Sequence, residues 1–172
     1  RTYDLFRKVG EKWELWMSWP KDKCWKFGTC DPAASTRNTS DYTAAAAWCV
    51  TPQNDLLRLE VFRKKIELQH IVPSMHELCL RHRLRYLAIE DVGFQKMVVD
   101  EARRFPGMPP VRAISLGQAG KLERAHPAII RAEAGQVYLP EKAPWMEDFL
   151  SEVTIFTGEK DKDAHDDQVD NL

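Results

Sequence analysis

Acidic residues stand at three points where the sequence changes from one kind of element to another. Asp31 ends a short β-like run and is followed by Pro32, Glu90 ends a second run, and Asp166 and Asp167 open what reads as a helix. A carboxylate at a strand end is partly desolvated and is costly if left alone. Carboxylates that converge from separate elements repel one another unless cations neutralise them or some take up protons. Divalent metal resolves that conflict, and an all-oxygen donor set favours magnesium or manganese over zinc. Two such ions ~3.5–4 Å apart can clamp a scissile phosphate, one activating water and the other stabilising the leaving 3′ oxygen. The chemistry open to these residues is therefore phosphodiester hydrolysis. A plainer reading stands beside it. The chain has 26 acidic residues, and a strand-end Asp is ordinarily a turn residue or a helix cap. Asp166 and Asp167 also sit where a helix dipole favours negative charge.

The elements that must carry these acids follow from periodicity. Residues 3–19 read as a hairpin around a turn at Val9-Gly10-Glu11-Lys12. Residues 25–30 form a strand that stops at Asp31-Pro32, because proline disfavours helix at the residue before it. Residues 33–40 are small and polar, a loop. The apolar run 42–50 fits helix or strand by composition; Trp48, Val50 and the breaker Pro52 favour strand. A turn at Gln53-Asn54-Asp55 leads to a third strand, 56–62. The pattern then switches to a 3.6-residue period over 67–83, a helix with Pro73 near its start. Strand 86–89, helix 94–105, strand 111–116 and helix 121–134 follow, the last closed by Gly135. An extended piece at 137–139, an amphipathic helix at 144–156, a charged loop at 158–164 and a helix start at 165 complete the chain. The order βββ-α-β-α-β-α predicts an α/β fold with a mixed five-stranded sheet. It begins as an antiparallel meander and continues as alternating α/β units.

With 172 residues the chain is long enough for one domain with a real core. The expected layout is a hairpin and connector at 1–24 and the main domain at 25–172. No run approaches the ~18 apolar residues of a membrane span, and no signal-peptide pattern is present. The chain opens on Arg1 and stops within a helix-like segment, so it reads as one domain cut from a longer protein. Net charge is −1, which excludes a protein that coats nucleic acid through its overall charge. A local DNA contact is not excluded. Cys24, Cys30, Cys49 and Cys79 match no zinc spacing and read as small hydrophobes in a reducing compartment, Cys24 less clearly than the others. The segment Gly117-Gln118-Ala119-Gly120-Lys121-Leu122 lacks the spacing and the Ser/Thr of a phosphate-binding loop.

Six motifs occur in order: Phe27-Gly28-Thr29-Cys30-Asp31-Pro32-Ala33, Ser40-Asp41-Tyr42-Thr43-Ala44, Ala88-Ile89-Glu90-Asp91, Gly120-Lys121-Leu122-Glu123-Arg124-Ala125, Ala134-Gly135-Gln136-Val137-Tyr138-Leu139-Pro140 and His165-Asp166-Asp167-Gln168-Val169-Asp170. Together they resemble the C-terminal nuclease domain of the terminase large subunit of tailed bacteriophages, over about residues 25–172. The resemblance implies a ribonuclease H-like fold and two-metal cleavage of concatemeric viral DNA during genome packaging, in the host cytoplasm. It implies Mg2+ or Mn2+, two ions per site. Asp31 would bridge both ions, Glu90 would hold one, and Asp167 or its neighbour Asp166 the other. Asp41 matches an acidic position in the Asp41-Tyr42-Thr43-Ala44 motif and would support the metal ligands or serve as an occasional ligand itself. Asp91 follows Glu90 and would turn away if the strand continued. Lys121 and Arg124 would hold DNA phosphates. The implied partners are double-stranded DNA, the ATPase motor domain of the full-length protein, the portal and the small terminase subunit.

Other features read more plainly. Arg63-Lys64-Lys65 and Arg81-His82-Arg83-Arg85 could border a DNA groove, but charge clusters are more often solvated element ends. His165 is secondary in an oxygen-rich site; His70, His76, His82 and His126 share no ligand spacing. Trp13, Trp16, Trp19 and Trp25 fit core packing, or a face against a motor domain, better than base stacking. No helix is rich in base-reading residues, which predicts low sequence specificity. Two competing readings remain: a resolvase- or transposase-type nuclease of the same fold, and a non-catalytic module that docks on DNA or portal.

Overall fold

The computed structural model describes residues 1–33, 42–115, 117 and 120–155. A hairpin of β1 (Thr2–Val9) and β2 (Lys12–Pro20) comes first and forms its own two-stranded sheet. A single 3-10 turn, Lys21–Lys23, leads into the main sheet. That sheet contains β3 (Trp25–Asp31), β4 (Thr43–Val50), β5 (Leu56–Lys64), β6 (Leu87–Glu90), β7 (Val111–Ile114) and β8 (Val137–Tyr138), in the spatial order β7-β6-β3-β4-β5-β8. The helices are α1 (Leu68–His82), α2 (Gln95–Arg104), α3 (Lys121–Glu133) and α4 (Met146–Ile155). β3, β4 and β5 form the expected antiparallel meander, while β6 joins β3, and β7 joins β6, in parallel. The sheet gains a sixth strand: the extended piece at 137–138 pairs with Leu56 and Leu57 of β5.

β4 settles the ambiguity of its composition. Every residue of Thr43–Val50 is buried, so the strand is flanked on both edges and covered on both faces. An alanine run has strong helix propensity, but here narrow side chains are what lets layers close over both sides of a central strand. The principal core lies on one face, where Cys30, Ala45, Ala47, Leu87 and Ile89 meet Ile71, Val72, Met75, Leu78, Val98, Val99 and Ala102 of α1 and α2. Gly28 belongs to that face: a Cβ there would lie 2.8 Å from Leu84 Cδ1 and 2.9 Å from Leu87 Cδ1, so a side chain at 28 would push these two leucine methyls aside.

Local signals work as the sequence suggests. Pro73 lies inside α1 without ending it. Gly135, at φ 68°, follows the end of α3, with its N–H on Ala132 O at 3.0 Å and that of Gln136 on Arg131 O at 2.9 Å. This is the paired bond pattern of a Schellman stop. All four cysteines are free and buried. A second cluster seats the hairpin, with Trp19, Cys24, Cys49 and Leu57 buried among Tyr3, Leu5, Met17, Leu59 and Tyr138. No helix among the described residues is long and apolar enough to cross a membrane.

Candidate functional site

Parallel pairing puts the carboxyl ends of β3, β5, β6 and β7 at one end of the sheet. A row of residues crosses that end. Glu90 pairs with Ile114, Asp31 with Ala44, and Ala44 with Arg63. The last paired step between β3 and β6 is Cys30 with Ile89, so Asp31 and Glu90 are the next residues on strands about 4.8 Å apart. Cys30 and Ile89 point into the principal core. Alternation therefore turns Asp31 and Glu90 together onto the opposite face, where both are half-buried.

The exit from β3 is held from two sides. The Thr43 hydroxyl, fully buried, donates to Ala33 O at 2.8 Å and accepts from Ala33 N at 3.1 Å. On the other side the Gln95 side-chain amide donates to Asp31 Oδ1 at 2.7 Å and to Pro32 O at 3.2 Å. Gln95 Oε1 accepts from Val92 N at 3.1 Å. Sequence reasoning passed over both residues. Gln95 opens α2, whose N-cap, Phe94, makes no side-chain capping bond, so no adjacent residue marks the bond to Asp31.

The face that carries Asp31 and Glu90 is covered toward β5 by α4. Arg58 is buried beneath it, its guanidinium 4.9 Å from the Trp48 ring centroid and 4.1 Å from that of Phe149. Burial lowers its pKa to about 9, and Glu152 works to raise it; it stays cationic at neutral pH. Glu152, also buried, lies 4.0 Å from Arg63 Nε. Phe149 thus sits over Arg58 and Glu152 beside Arg63, so α4 runs along β5 toward the end that holds the two carboxylates.

Donor chemistry at this end is oxygen chemistry. Burial, with the charge of Asp31 adding to it, lifts the Cys30 thiol well above its ordinary value, which keeps it from offering a thiolate. Asp91, just past β6, is tied by its N–H to Ile114 O at 2.9 Å, and its Oδ1 is buried without a hydrogen bond. Among the described residues no group of three or more His, Cys, Asp or Glu is placed to hold a metal ion. Asp41, His165, Asp166 and Asp167 lie outside the described residues. Two half-buried carboxylates side by side, one already oriented by a neutral amide, fit part of a hard-cation site that needs at least one further ligand.

The remaining candidates divide. Lys121 opens α3, but its side chain is outside what is described. Arg124, in the first turn of α3, is half-buried with its Nε shielded and without a hydrogen bond. Arg63 and Lys65 lie 3.8 Å and 4.9 Å from the Tyr42 ring centroid, at the carboxylate end of β5. Arg81 and His82 instead pair with Glu60, His82 at 2.6 Å, and Arg83 is a left-handed helix cap at φ 54°. His76 packs on Phe105 with ring centroids 5.1 Å apart. Trp19 is buried, whereas Trp13 and Trp16 are exposed.

No curated protein matches this sequence. Among solved structures, the nuclease domain of the large terminase subunit gp2 of bacterial virus Sf6 superposes with a TM-score of 0.59 at 9% identity, covering 82% of this chain and 75% of that one. A mutant of the same gp2 domain determined with calcium gives the same values. A mutant with manganese and beta-thujaplicinol aligns at a TM-score of 0.42 and 8% identity, covering 54% of this chain and only 37% of that one. Thermus thermophilus RuvC in complex with a Holliday junction aligns at 0.47 and 17% identity, over 69% of this chain and 84% of that one. The last two values are too low to decide anything. The likeness at 0.59 shows a shared ribonuclease H-like fold. The terminase RNaseH-like domain family matches residues 28–172, nearly all of the main sheet and its helices. The chain belongs to the family of terminase RNaseH-like domains.

Proposed function

We propose that this chain is a metal-dependent DNA endonuclease that cuts concatemeric viral DNA during genome packaging, with low sequence specificity. One observation carries the reading. Asp31 and Glu90 come from distant parts of the chain to adjacent positions on one face, at the carboxyl ends of neighbouring parallel strands. Strand carboxyl ends at such a junction are where open α/β sheets bind ligands. Asp31 and Glu90 hold Mg2+ or Mn2+, and Asp166 or Asp167 completes the set. The course of α4 toward this end supports that last assignment. Bound divalent ions supply water activation and charge stabilisation at the phosphate. The protein's own work is to hold carboxylates at fixed spacing and to seat the strand, with Asp41 supporting the site and Lys121 and Arg124 contacting phosphates. Double-stranded DNA is the substrate. The ATPase motor domain, portal and small terminase subunit are the partners, and residues 1–24 are an accessory hairpin on the nuclease domain.

Nicking of supercoiled plasmid with Mg2+, Mn2+ or EDTA tests the proposal. Metal-dependent nicking is expected, with a loss of at least ~100-fold in Asp31→Asn, the scale of removing an electrostatic group from a catalytic centre. Absence of cutting on plasmid, single-stranded and branched DNA by folded protein would favour the docking module. A strong preference for branched DNA would favour the resolvase reading.

A further inference from the structure

We propose that Gln95 is a positioning residue that fixes the Asp31 carboxylate for divalent cation and sets its spacing from the segment carrying Glu90. The inference rests on the reading of Asp31 and Glu90 as metal ligands. Gln95 is buried to 8% exposure and is the first residue of α2. Its amide touches three points: Asp31 Oδ1 at 2.7 Å, Pro32 O at 3.2 Å and Val92 N at 3.1 Å. The first two belong to the exit from β3, and Val92 lies two residues beyond Glu90. A single buried side chain therefore ties the Asp31 carboxylate to the turn that follows Glu90.

The chemistry of the group fits this task. A carboxylate has two oxygens and several lone pairs. An amide N–H on Oδ1 locks the rotation of the carboxylate while leaving acceptor capacity for a cation. Lysine or arginine in its place would also donate, but its positive charge would compete with the metal. Glutamine donates without that competition, and its carbonyl at the same time accepts from the Val92 N–H in the turn before α2.

A role in closing the turn before α2 would account for the Val92 bond but not for the bonds to Asp31 and Pro32. The two roles separate in a metal titration. Mn2+ binding is measured by electron paramagnetic resonance on the unaltered chain, Gln95→Met and Asp31→Asn, with folding checked by circular dichroism in EDTA. Methionine keeps the volume and removes all three bonds. The expected result is a ~10-fold or greater loss of Mn2+ affinity in Gln95→Met, the usual cost of removing an outer partner of a metal ligand, with plasmid nicking partly restored at high Mn2+. Wild-type affinity in folded Gln95→Met, with binding lost in Asp31→Asn, would reduce Gln95 to a residue that closes the turn before α2. Unchanged binding in Asp31→Asn, or none in the unaltered chain, would overturn the metal reading itself and this inference with it. If Gln95→Met does not fold, the side-chain amide resonance of Gln95 in the unaltered protein is followed during Mg2+ titration. It should shift with the Kd of the site, and a resonance that stays put through saturation overturns the proposal.

Discussion

Asp31 and Gln95 differ in how they could be found. Asp31 announces itself locally, because Pro32 stops a strand at an acid and the following loop is small and polar. Gln95 has no such mark: its importance lies in a bond to a residue far away in sequence, and only the parallel pairing of β3 with β6 makes that bond. Thr43 is similar, since its value depends on Ala33 being across from it. Arg58 was equally hidden, an arginine in a strand whose burial beneath Trp48 and Phe149 no periodicity indicates. It yields a prediction at this scale. Glu152 keeps Arg63 beside it when Arg58 is removed, so Arg58→Leu should destabilise by about 1–3 kcal/mol, through lost packing on Trp48 and Phe149 and lost attraction to Glu152. The double variant should lose less than the sum of Arg58→Leu and Glu152→Leu. Urea unfolding of the three variants measures the coupling, and simple additivity would mean that the two charges do not sense each other.

The elements were largely legible, because their periods and stops are written in adjacent residues. The helix α1 with Pro73 inside it, the Gly135 stop and the meander β3–β5 all follow local rules. The pairing of Val137–Tyr138 with β5 does not: two residues carry too little pattern to name a partner strand. The cluster Arg81-His82-Arg83-Arg85 also resolves at this scale. Glu60 of β5 accepts from His82 and Arg81 of α1, so two of these basic residues join a strand to a helix. Burial pushes the Glu60 pKa up, but the bonds from His82 and Arg81 outweigh it, and the carboxyl is held below its ordinary value. A depressed acid stabilises the fold above its unfolded pKa, about 4.3 for Glu, and that contribution fades as pH falls through the folded value. The stability difference between the unaltered chain and Glu60→Gln should therefore be present at pH 6 and vanish in acid. It should stay below about 1 kcal/mol, as a solvent-screened pair allows. A difference that grows on acidification would contradict this assignment.

At the scale of the whole molecule the hairpin is joined to the sheet unevenly. Its base is fastened by Trp19, whose indole N–H donates to Gln53, and by Tyr3, Leu5 and Met17 against Tyr138 and Leu57. Beyond Leu5 the register shifts by a bulge, and Phe6, Trp13 and Leu15 are left exposed. A chain beginning at residue 25 should therefore lose more than about 2 kcal/mol, since the burial of one large side chain is worth that much and Leu57 and Cys49 become uncovered. Trp13→Ser should change stability by no more than about 0.5 kcal/mol. Thermal unfolding of the two proteins distinguishes a fastened base from a free tip; equal loss in both would put the tip in the core.

The parallel ladder between β3 and β6, which joins Gly28 to Leu87 and Cys30 to Ile89, also governs the order in which the molecule can assemble. The meander needs only short loops to close, whereas this ladder must bring together distant stretches of chain after α1 has formed, and such closures are slow. The two carboxylates should consequently become neighbours late in folding. Pulse-labelling hydrogen exchange during refolding should protect β4 and β5 amides before those of β6, and simultaneous protection would remove that sequence of events. A newly made chain should then acquire its meander before it acquires a paired-acid centre, so on the proposed nuclease reading partly folded forms would be poor at cutting the DNA around them.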